Sequence, residues 1–75
     1  MFYDDFCDTD IRRRVFSKLV ELSKDGRYVA IQELDSLGYD RKSVEDVIRY
    51  FDEKELFREV RSRSNDSVPV IFLLK

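Results

Sequence analysis

The residues able to do chemistry in this 75-residue chain are chiefly carboxylates and bases, because histidine is absent and Cys7 is the single thiol. One thiol without an imidazole supplies almost no material for a zinc site or for a nucleophile–base pair. Paired carboxylates occur at Asp4-Asp5 and Glu45-Asp46, but a chain this short has little volume for an enclosing pocket. The expectation is a protein with no catalytic residues, no metal site and no cofactor. What remains is recognition. Arginine and lysine pair with phosphate oxygens and guanine edges, and serine and asparagine bond phosphates. Such residues gather in Arg12-Arg13-Arg14, in Arg41-Lys42-Ser43, at Arg49, and in Arg61, Ser62, Arg63 and Asn65.

Charge balance tempers a nucleic-acid reading. The chain carries 14 bases against 16 acids, net −2 with pI near 5.1, so any basic surface must be local. Bases at 11–25 and 56–75 are offset by the aspartates of residues 1–10. Opposite-sign pairs at helical spacing are expected for Lys42–Asp46, Glu45–Arg49, Arg49–Glu53 and Asp10–Arg14, a lattice that would consume its own bases.

Periodicity supplies the elements that hold these groups. Ile11, Val15, Leu19 and Leu22, flanked by Phe16 and Val20, predict a helix over 9–24, capped by Thr9 and stopped at Asp25-Gly26. Arg12 falls inside that apolar arc and is expected to snorkel. The patch "RYVAI" predicts a short strand over 27–30. Ile31, Leu34 and Leu37 mark a short helix over 30–37, closed by Gly38. Val44, Val47, Ile48 and Phe51 make the stripe of a helix over 41–54 that Asp40 or Ser43 can cap. Runs at 56–63 and 68–74 around "SNDS" read as a hairpin. The second run is apolar on both faces, so it belongs at the centre of a sheet, with Pro69 near the turn and beyond any third strand.

The stretch "IQELDSLGYDRKSVEDVIRYFDEKELFREV" resembles the winged helix-turn-helix superfamily: short helix, glycine turn, polar helix start, apolar stripe, then a run into a hairpin. Glu55 stands where that pattern commonly has glycine. The resemblance implies an α+β winged-helix domain over 1–75. It further implies DNA contact through Arg41, Lys42, Ser43, Asp46 and Arg49 on the third helix, and through Arg61, Ser62, Arg63 and Asn65 on the wing. The leading function is therefore double-stranded DNA binding in transcriptional regulation, possible as a homodimer. The alternative is an adaptor that contacts a protein partner and no DNA. Phe2, Tyr3 and Phe6 are expected to cover the domain or a second chain, with Cys7 as a small buried hydrophobe. The apolar tail is far short of the ~20 residues of a membrane span. With a lone cysteine and no leader pattern, the expected location is the cytoplasm.

Overall fold

The computed structural model describes residues 9–65 and 67–75. The expected interface residues Phe2, Tyr3 and Phe6, and Cys7 with them, lie outside these. Helix α1 spans Asp10–Leu22, and the Thr9 side chain accepts from the Arg12 N–H at 3.3 Å. It ends two residues before the expected point because Ser23 folds back on it, donating from its hydroxyl to the Leu19 carbonyl at 2.7 Å. Asp25 and Gly26 then take left-handed φ values of 66° and 74° and reverse the chain.

Strand β1 covers Val29–Ala30. The next element, Ile31–Leu37, is a 3₁₀ helix. Its apolar residues recur every three positions, and three residues per turn stack them on one side. Ile31 and Leu34 are buried there. The Glu33 carboxylate ties down the start, accepting from the Ala30 N–H at 2.9 Å and pairing with Arg27. Gly38 caps the end with φ 89°.

Helix α2 spans Arg41–Glu53 and buries Val44, Val47, Ile48 and Phe51. Its last turn closes through Glu55 N–H to Asp52 O (3.0 Å) and Leu56 N–H to Phe51 O (3.1 Å). That closure requires a left-handed residue, and Glu55 supplies it with φ 59°. A side chain in that conformation costs about 1–2 kcal/mol. Glu55→Gly is therefore expected to raise stability by roughly 1 kcal/mol, read as a higher urea midpoint with an unchanged slope.

Strands β2 (Phe57–Arg63) and β3 (Pro69–Leu74) form the hairpin, and the antiparallel sheet has the order β1-β3-β2. Three helical segments with this sheet make an α+β arrangement consistent with a winged helix. β3 is central, as its two-faced apolarity required. β1 reaches only Phe72 and Ile71, so Pro69, paired with Arg63, lies beyond it.

One face of the sheet meets the helices. Phe72 stacks on Phe57 with centroids 4.5 Å apart, and Phe51 meets the edge of Phe16 at 6.0 Å. Val15 and Leu19 of α1 close the same core. Val20, expected within the apolar arc, is 43% exposed instead, because the half-circumference arc is wider than the core this short domain can place against it. No charged side chain of the described residues is buried. Whatever the charged groups do, they do at the surface.

Candidate interaction surface

Asp40 organises the start of α2. Its carboxylate accepts from the Ser43 N–H at 3.2 Å and the Ser43 hydroxyl at 2.8 Å. These bonds, the hydroxyl first, hold the Asp40 carboxyl below its ordinary range. They also occupy one of the amides that would greet an anion at a helix start. Ser43 is thus committed to its own cap. Glu33 is lowered likewise, chiefly by Arg27 and then by the Ala30 N–H. Folded pKa values below the unfolded ones make both contributions complete above the unfolded carboxyl range and lost as pH falls through the folded values. Thermal melts should hold steady from about pH 7 to 5 and fall below about pH 4. A Glu33→Gln, Asp40→Asn double variant should fall less.

Arg41 donates from Nε and Nη2 to the two oxygens of Asp35, at 3.2 and 2.7 Å. This fork ties α2 to the 3₁₀ helix, and the bond to Asp35 raises the Arg41 pKa. Arg49 pairs with Asp46 at 3.5 Å. The spacing is three residues, whereas four was expected for Glu45–Arg49, Arg49–Glu53 and Lys42–Asp46. Asp10 likewise meets Arg13 and not Arg14. Both spacings bring side chains within reach on a helix surface, so rotamer detail decides between them. Lys42 makes no ion pair with a described residue. Arg12 lies with its guanidinium 3.7 Å from the Tyr50 ring centroid, the stem half-buried as its place in the apolar arc required.

The hairpin arginines part company. Arg63 donates to Asp52 of α2 at 2.7 Å and to the Ser67 carbonyl at 3.0 Å. Arg61 lies across the sheet face that points away from the core, 4.2 Å above the Tyr28 ring. Tyr28 donates its hydroxyl to Glu59 on the same face. The register puts Glu59 opposite Leu73, so this bond crosses over Leu73 and helps bring it to 8% exposure. Tyr28 first, then Glu59, raises the Arg61 pKa. Ser62 and Asn65 are exposed in and beside the turn.

Arg41 and Asp52, the anchor of Arg63, are 11 residues apart on α2, about 16 Å of helix axis. The arginines that the resemblance assigns to DNA contact are spread along the helix and over the back of the sheet. Residues 35–53 hold the bases Arg41, Lys42 and Arg49 against Asp35, Asp40, Glu45, Asp46, Asp52 and Glu53, three against six. No family model, curated protein or solved structure matches this chain. The functional reading therefore rests on the geometry. A shallow groove lined by Thr9, Ile11, Arg12, Ser43, Asp46 and Val47 runs beside α2.

Sequence reasoning named the cations but missed their partners Asp35, Asp52, Tyr28 and Glu59. Only Asp35 carried a signal, through its short separation from Arg41 across the Gly38 turn. The others meet their arginines through tertiary folding. No described helix is long and apolar enough to cross a membrane.

Proposed function

We propose that this chain is a small winged-helix-type module that binds another protein, its α2 face meeting polypeptide and not a DNA groove. The observation that carries this reading is the engagement of the expected phosphate contacts. Arg41, Arg49, Arg61 and Arg63 each sit against a group of the same chain. Around α2, acids outnumber bases two to one. A phosphate backbone laid on this face would meet more repulsion than attraction, whereas a protein partner can match a mixed-sign surface.

Duplex DNA is the second reading. It draws on Lys42 and on the exposure of the Arg41 and Arg63 side chains, 42% and 45%. Exposed ion pairs exchange partners at small cost. A photo-crosslinking amino acid at position 45, used in the cell of origin, separates the two. Protein adducts that survive nuclease are expected; adducts that nuclease removes would overturn the protein reading.

A further inference from the structure

Among the described residues β2 hydrogen-bonds to β3 alone, so the outer edge of this seven-residue strand keeps its backbone N–H and C=O groups unpaired within the described sheet. Such edges accept another strand unless side chains prevent it. Charges of one sign would prevent it, but β2 carries both signs around Val60. Glu59 and Arg61 share the outward face, since both touch Tyr28 there. Both are exposed.

Two copies joined edge to edge about a two-fold axis must keep paired residues on one face, so few registers are open. Centred on Glu59, each Glu59 faces its own copy. Centred on Arg61, two arginines meet. Centred on Val60, Glu59 faces the second copy's Arg61 twice over, by symmetry. Directly opposite unlike charges stabilise an antiparallel pair and like charges destabilise it. Tyr28 draws both side chains over β3 and away from the open edge, so docking must turn the Arg61 guanidinium off that ring to reach the second copy. Tyr28 also occupies only one Glu59 oxygen, leaving the other to accept a guanidinium.

Resting on the protein-binding reading, we infer that one partner is a second copy of this chain, docked antiparallel along β2 with Val60 on the two-fold axis. The product is a continuous six-stranded sheet. Register shifts on either side of the Glu59–Val60 pair keep the regular ladder short, so the buried area falls below about 1,000 Å² and the dimer is weak and concentration-dependent.

Analytical ultracentrifugation of the full chain from about 10 μM to about 1 mM tests it. The weight-average mass is expected to climb toward the dimer. Glu59→Arg or Arg61→Glu should each weaken association at least about tenfold, and the two together, which swap the signs across the axis, should restore it to within about threefold. A wild-type chain that stays monomeric throughout overturns the inference, as does a dimer indifferent to Arg61→Glu or a double variant that fails to recover. Circular dichroism checks the fold of each variant. If a single variant unfolds, hydrogen exchange on the wild type decides: protection of β2 amides must rise with concentration, and flat protection overturns the dimer. Nuclease-sensitive adducts at position 45 would defeat the protein reading of α2 without altering the measured mass, so the two failures are distinguishable.

Discussion

Phe72→Ala is expected to leave the chain unfolded, or barely folded, at room temperature. Phe72 is fully buried on the central strand, paired with Val29 on one side and Val60 on the other, and stacked on Phe57. Removing the ring takes away a large apolar surface and leaves a cavity that both neighbouring strands border. Such substitutions cost about 3–5 kcal/mol. A domain of 75 residues has roughly 4–11 kcal/mol in all, so the loss is comparable with the whole. Urea unfolding followed by circular dichroism would show a collapsed midpoint or no transition. The adjacent residue provides the control. Ile71 points to the opposite face and is 38% exposed, so Ile71→Ala should cost less than about 1 kcal/mol. Similar costs at 71 and 72 would mean that the assigned faces of β3 are wrong.

The second large effect is a gain. Glu45→Lys with Asp46→Lys should raise affinity for duplex DNA at low salt at least about tenfold over that of the natural chain. The two changes turn the count over residues 35–53 from three bases and six acids to five and four. They also release Arg49 from Asp46. Asp46 is exposed and Glu45 half-exposed, so the core stripe of α2 is untouched and circular dichroism should be unchanged. Fluorescence anisotropy of a labelled random duplex checks the result, and the new affinity should fall steeply with added salt as counterions are released. If the double variant binds no better than the natural chain, charge on this face is not what controls DNA access.

The scaffold was legible in the sequence because burial writes itself as periodicity. The stripe Val44, Val47, Ile48 and Phe51 marked α2, and apolarity on both faces placed β3 at the centre of the sheet. Pro69 fixed where β1 could not reach. Where periodicity was shared between states it gave less: Ile31, Leu34 and Leu37 announced a helix, while its tighter 3₁₀ winding emerged only in the structure. Val20 showed the limit of an arc drawn around one helix, since the depth of core available to it depends on the rest of the fold. The surface was much less legible. Tyr28 and Glu59 are 31 residues apart and meet only because β1 and β2 flank β3. Arg63 finds Asp52 through the path of the hairpin. Exposed ion pairs are individually weak, so they leave no pattern from which a partner can be read in advance.

The central claim is that the α2 face, with its arginines engaged and its acids in excess, does not hold duplex DNA. Titrating the natural chain into a labelled random duplex at about 50 mM salt tests this most directly, since low salt favours any phosphate contact the surface can make. No saturable binding is expected up to about 100 μM protein, the weak end of the usual non-specific range. Saturation at a few micromolar, abolished by moderate salt and by Arg41→Glu, would contradict it.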